Sequence, residues 1–160
     1  MRLFAVSSAL LALLLTAAPA RADITAFLGT NATPDYRMAR GVSVGIALVI
    51  VGFEFEYSST SESTGTTPAP SLKTGMGNVL LQTPTAIFGF QPYFTTGFGF
   101  YSETLGAHND KDFGWNTGGG AKIPLAGPLQ LRVDYRVFKL GGGALYSPAH
   151  RLYAGINLKF

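Results

Sequence analysis

The chain predicts an all-β fold: eight antiparallel strands in up-and-down order, closed into a barrel that spans a membrane. Three observations carry this expectation. The last ten residues, RLYAGINLKF, set Leu152, Ala154, Ile156, Leu158 and Phe160 on one face of a strand and Arg151, Tyr153, Gly155, Asn157 and Lys159 on the other. An apolar face ending on a terminal aromatic suits a strand with lipid on one side and a polar lumen on the other. Alternation of this kind recurs through most of 23–160 in segments of nine to eleven residues, and a tilted membrane strand requires ~9–11. The polarity is also inverted relative to a soluble small barrel, which would turn its aromatics inward. Here glycines and charges form the set that would line the interior.

The N-terminus, MRLFAVSSALLALLLTAAPARA, has one early charge, Arg2, an apolar run from about Leu3 to Leu15, and the small-residue pattern Ala20-Arg21-Ala22. This reads as a cleavable signal peptide over 1–22, with Asp23 as the new N-terminus. The run is shorter than the ~20 residues a spanning helix needs. Cleavage removes Arg2 and Arg21, leaving ten Lys and Arg against nine Asp and Glu in 23–160. The basic balance of the full chain therefore gives no reason to expect nucleic acid as a partner. With no cysteine, disulfides, thiolate metal sites and a lipid-modified cysteine are excluded.

The strands follow in order. The first is expected near Asp23–Asn31. The second, near Arg37–Ile46, sets Val42, Val44 and Ile46 against Gly41, Ser43 and Gly45. In the third, near Ile50–Ser58, Val51, Phe53, Phe55 and Tyr57 oppose Gly52, Glu54 and Glu56. The fourth, near Lys73–Gln82, has mixed faces and no clear orientation. The fifth, near Pro92–Ser102, sets Phe94, Thr96, Phe98 and Phe100 against Tyr93, Thr95, Gly97 and Gly99. In the sixth, near Phe113–Ile123, Phe113, Trp115 and Thr117 oppose Asn116, Gly118, Gly120 and Lys122. The seventh, near Pro128–Phe138, sets Leu129, Leu131, Val133, Tyr135 and Val137 against Gln130, Arg132, Asp134 and Arg136. The C-terminal segment is the eighth.

An even strand number places both termini on one side, expected to be the periplasm. The longer polar or Gly-rich links near 32–36, 59–72, 103–112 and 139–149 would then be extracellular. One link fits poorly: Ala47-Leu48-Val49 carries no turn residue. The stretch SSTSESTGTTPAPSLK (58–73) is low in complexity and reads as a surface loop. Loops 59–72 and 103–112 have two readings, contact sites for a surface ligand or segments that only hydrate the surface. Within the second, His108-Asn109-Asp110-Lys111-Asp112 offers carboxylates to a hard cation, but Lys111 opposes the charge and a solvated tip is the simpler expectation.

The segments GFEFEY (52–57), QPYFTTGFGFY (91–101), GGGAKIPL (118–125), LQLRVDYRVF (129–138) and RLYAGINLKF (151–160) resemble the small outer membrane protein beta-barrel domain family. That family includes opacity-type and attachment-type eight-stranded barrels. The resemblance covers essentially all of 23–160 and implies fold and an outer-membrane location. It implies no catalytic residues, because the family has none in common. An outer-membrane barrel also implies dependence on periplasmic chaperones and barrel-assembly machinery. Tyr153, Ile156, Leu158 and Phe160 of the last strand are the expected assembly signal.

Eight strands enclose a lumen that side chains nearly fill. The third and seventh strands face each other across it, so Glu54 and Glu56 are expected to meet Arg132 and Arg136, with Lys122 and Asp134 in the same ion network. Unpaired charges inside such a wall are costly, which favours pairing. The expected role is a non-enzymatic surface or envelope-integrity protein with a plugged lumen; a narrow passive pore is the alternative. Tyr57, Phe100, Phe113 and Trp115 are expected in the outer aromatic girdle, Phe94 and Phe160 in the periplasmic one. Arg40, at the outer rim on the lipid-facing parity, has two readings of equal weight: a partner for lipopolysaccharide phosphate, or a rim charge snorkelling into the headgroups. A lipid A acyl-ester hydrolase is a third reading, centred on His150 with Ser147 nearby. At i±2 from His150, however, stand Pro148 and Leu152, neither a nucleophile. No metal or cofactor is expected.

Overall fold

Alternation resolves into eight strands in the computed structural model, which describes residues 21–65 and 67–160. They are β1 (Arg21–Asn31), β2 (Arg37–Leu48), β3 (Val51–Thr60), β4 (Ser71–Gln82), β5 (Gln91–Leu105), β6 (His108–Ala126), β7 (Leu129–Leu140) and β8 (Ala149–Lys159). Each pairs antiparallel with its sequence neighbour, and β8 pairs back onto β1, closing the barrel. Closure satisfies every ladder without leaving an edge, the condition for a sheet in lipid. The expected signal peptide falls mostly on residues 1–20, outside the described residues.

The pairing is staggered. A row traced from Arg21 through Ala47, Gly52, Leu80, Thr95, Gly118, Arg136 and Arg151 returns to β1 at Asn31, ten residues along. Stagger of this kind tilts the strands by roughly 35–45° to the barrel axis. A row perpendicular to the strands therefore climbs as it passes from β1 towards β8. The described N-terminal end and Phe160 share one rim with links 49–50, 83–90 and 127–128, here the terminal rim. Links 32–36, 61–70, 106–107 and 141–148 form the opposite, loop rim.

Expectations about four links are corrected. The segment 103–112 is not a loop: β5 and β6 continue through it to the two-residue turn Gly106-Ala107, with Gly106 at φ +56°. The extension is held from inside, where the Tyr101 hydroxyl lies 2.5 Å from Asp110 Oδ2 and also reaches the Gly141 carbonyl. The loops expected at 59–72 and 139–149 shorten to 61–70 and 141–148. The weak turn between the second and third strands is a two-residue link, Val49-Ile50, in which neither residue takes a positive φ.

The fourth strand acquires its orientation. Leu72, Thr74, Met76, Asn78 and Leu80 are buried in the lumen, while Lys73, Gly77, Val79 and Leu81 are exposed. Its faces read as mixed because the inward set is largely apolar and the outward set contains Gly75 and Gly77. The Phe100 ring of β5 lies over Gly75, where any Cβ would collide with it. The other outward faces carry the expected apolar residues, with Phe55 50% and Phe98 61% exposed. An apolar outer wall of this kind is what membrane barrels turn towards hydrocarbon.

Candidate functional site

The lumen is filled layer upon layer. Near the terminal rim, Lys122 Nζ lies 2.7 Å from Asp23 Oδ2, beside a recess of about 110 Å³ bordered by Gln91 and Gln130. The next layers hold three guanidiniums and three carboxylates. Arg132 binds Glu54 through Nη1, and its Nη2 donates to Asp134 Oδ2 at 3.1 Å. Arg136 Nε donates to Asp134 Oδ1 at 2.9 Å, and its Nη2 to Glu54 Oε1 at 3.0 Å. Arg136 Nη1 lies 3.1 Å from Glu56 Oε2, and Arg151 Nη1 the same distance from Glu56 Oε1. The cluster balances in charge. Towards the loop rim it gives way to an apolar layer of Leu72, Met76, Tyr101, Phe138, Leu140 and Ala149.

Two tyrosines bind the ion cluster together. Arg132 Nε donates to Tyr93 Oη at 2.7 Å, and that hydroxyl donates to Asp134. Tyr153 Oη accepts from Arg136 Nη2 and donates to Glu56 Oε2, each at 3.1 Å. The Tyr153 ring stacks on Phe27 with centroids 4.1 Å apart. Phe27 finds room because its partners in the row are Gly155 and Gly41, and its ring lies over Gly41. Ser43 Oγ donates to Glu54 at 2.9 Å, completing that carboxylate's shell.

Glu54, Glu56, Arg132, Asp134 and Arg136 therefore converge across the barrel. Lys122 does not join them: it pairs with Asp23 nearer the terminal rim, because the row it shares with Arg132 climbs from β6 to β7. Sequence reasoning left out Asp23, Tyr93 and the cluster role of Tyr153, and assigned no partner to Arg151. All four have inward parity, which was the available signal; register across the lumen supplies the partner.

The remaining candidate residues lie as follows. Tyr57, Phe100 and Phe113 occupy one outward row. Trp115 points outward beside it, and Phe98 stacks on Phe113 at 5.4 Å. Phe94 is exposed on the outer face and Phe160 at the terminal rim. In β8, Ile156 faces outward and Leu158 shares its parity, whereas Tyr153 faces the lumen.

At the loop rim Arg37 draws two loops together. Its Nη2 donates to the Thr33 carbonyl at 2.7 Å, and its Nη1 reaches the carbonyls of Ser61 and Pro70. Glu103 accepts from the Leu145 N–H at 2.9 Å. His150 Nδ1 lies 2.7 Å from the Tyr135 hydroxyl. Ser147 instead hydrogen-bonds the backbone N–H and carbonyl of Leu140, at 3.0 and 3.2 Å.

A closed eight-stranded antiparallel barrel with an ion-paired lumen and an apolar outer wall is the architecture found in small membrane barrels. No protein-family model matches the chain, and no curated protein matches it. Solved structures share the fold. The N-terminal β-barrel domain of Pseudomonas aeruginosa OprF superimposes with a TM-score of 0.64 at 14% identity, over 88% of this chain and 97% of that one. A major outer membrane protein from Thermus thermophilus gives 0.54 at 14% identity, over 89% and 100%. The outer membrane enzyme PagL gives 0.52 at 13%, over 86% and 98%. At these identities the likeness is one of fold.

Proposed function

We propose that this protein is an outer-membrane barrel, secreted through a signal peptide over 1–22, with both termini in the periplasm and its loop rim at the cell surface. Its role in this reading is non-enzymatic: a surface or envelope-integrity protein whose lumen is a plug. The observation that carries the plug is burial. Arg132, Asp134, Arg136 and Glu56 have no accessible surface at all, and Phe138 and Met76 above them have none either. A cross-section filled by mutually paired ions and apolar side chains leaves no room for a hydrated ion. The Thermus barrel, described as a major outer membrane protein, and PagL, described as an outer membrane enzyme, support the location.

Purified protein inserted in planar bilayers is expected to give no steady unitary current. Discrete steps well above baseline would replace the plug with the second reading, a narrow passive pore, which the charged lining favours. A deletion strain is expected to become sensitive to detergent or to lose surface adhesion, with the loop at 61–70 and the hairpin tip at 106–107 as the contact sites. During biogenesis the partners are periplasmic chaperones and the barrel-assembly machinery, engaging the last strand.

A further inference from the structure

Charge is sorted between the two sides of the wall. Asp23, Glu54, Glu56, Glu103 and Asp134 are buried on the lumen side. Asp110 and Asp112 share the inward parity of β6 and lie against Gly141, Gly142 and Gly143. The two other acids, Asp35 and Glu62, lie in loops. Among the described residues, no strand presents a carboxylate outward. Four cations do point outward, Arg40, Lys73, Lys111 and Lys139, all exposed. None takes part in a salt bridge among the described residues.

Three of them share one row of the ladder. It runs Leu28, Arg40, Ser59, Lys73, Ser102, Lys111, so a serine hydroxyl separates each cation from the next. The aromatic row Tyr57, Gly75, Phe100, Phe113 lies one outward position closer to the terminal rim. The cations therefore stand where the apolar wall ends. Adjacent strands are ~4.8 Å apart, which puts successive cations about 10 Å from each other along the row. Because the row climbs, Lys73 stands further from the hydrocarbon than Arg40, and Lys111 further still.

Beneath Arg40 the wall is grooved. Ala26, Ala154 and the backbones of Gly41 and Gly155 form its floor, and Leu28, Val42, Tyr57 and Ile156 its sides. It is an apolar slot on the lipid side with a cation at its head. Its shape and charge suit one acyl chain leading up to an anionic group.

We propose that this face binds a phosphorylated, multiply acylated glycolipid of the leaflet at the loop rim. An acyl chain lies in the groove, and phosphates at successive depths engage Arg40, Lys73 and Lys111. Cations at three heights match a headgroup with more than one anionic group better than a phospholipid carrying one. The proposal rests on the membrane-barrel reading and adds to it a specific ligand chemistry.

The test is native mass spectrometry of the detergent-purified protein, titrated with a diphosphorylated hexa-acyl glycolipid, its dephosphorylated form, and phosphatidylglycerol. Each cation near a charged membrane surface contributes roughly fivefold in affinity. The diphosphorylated glycolipid is expected to bind about a hundredfold more tightly than its dephosphorylated form, and R40Q/K73Q/K111Q to lose that difference. Lys159→Gln, at the other rim, is expected to change nothing. Equal binding of the two glycolipids, undiminished binding by the triple variant, or equal binding of phosphatidylglycerol would overturn the proposal. If the triple variant fails to fold, the wild-type comparison decides alone. Failure of the wild type to enter bilayers would instead sink the barrel reading itself.

Discussion

Arg136 on β7 reaches across the lumen to Glu56 on β3, Nη1 to Oε2 at 3.1 Å, with both side chains fully buried. These strands are diametrically opposed in the closed barrel. The contact is therefore a strut between opposite walls as well as an ion pair. Removing one partner would leave a charge that neither water nor lipid solvates.

Arg136→Gln is accordingly expected to destabilise the folded barrel by about 3–5 kcal/mol, since Glu54 and Glu56 lose a shared cation in a buried site. Urea unfolding of refolded protein, followed by heat-modified gel mobility, measures this. The double variant E56Q/R136Q is expected to cost less than the sum of its singles, because no stranded charge remains at that contact. Strict additivity would mean the strut carries no coupling.

Tyr153→Phe keeps the ring stacked on Phe27 and removes only the hydroxyl between Arg136 and Glu56. Hydrogen bonds to charged partners contribute roughly 1.5–3 kcal/mol, so a loss of that order is expected in the same unfolding measurement. An unchanged midpoint would show that the two ions satisfy each other without the phenol.

Phe55 lies mid-strand on β3, between the lumen residues Glu54 and Glu56 but on the opposite face. Phe55→Arg places a cation against hydrocarbon and is expected to cost about 2–4 kcal/mol in bilayers. Ser59→Arg, on the same face near the loop rim, is expected to cost roughly 0–1 kcal/mol. Equal effects at the two positions, read as folded fraction in vesicles, would show that the wall does not face lipid.

Much of this was legible in the residues because strand alternation is a local property. Glu54 and Glu56 alternate with Phe53, Phe55 and Tyr57, and Arg132 and Arg136 with Val133, Tyr135 and Val137, so each inward set reads directly from its own segment. Counting eight strands then brings the third opposite the seventh. The fourth strand resisted because Leu72 and Met76 join the apolar layer of the lumen and Leu80 also points inward, while Gly75 and Gly77 stand on its outer face. Period-two reading assigns faces only where the faces differ in polarity, and here Thr74 and Asn78 inside and Val79 and Leu81 outside leave both mixed. The segment 103–112 misled for a related reason. Its polar residues suggested a loop, yet Tyr101, Glu103 and Asp110 are held from inside by neighbours distant in sequence, and the ladder runs on.

Strand number, inside-out polarity and the sign of each wall were all written in the residues, because they depend on positions one or two apart. That Lys122 pairs with Asp23 and Arg151 with Glu56, and which outward cations share a row, emerged from the closed barrel alone. The ten-residue stagger shifts every strand along its neighbour, so Lys122 drops to Asp23 while Arg132 rises to Glu54. That offset belongs to the closed sheet, and no single strand encodes it.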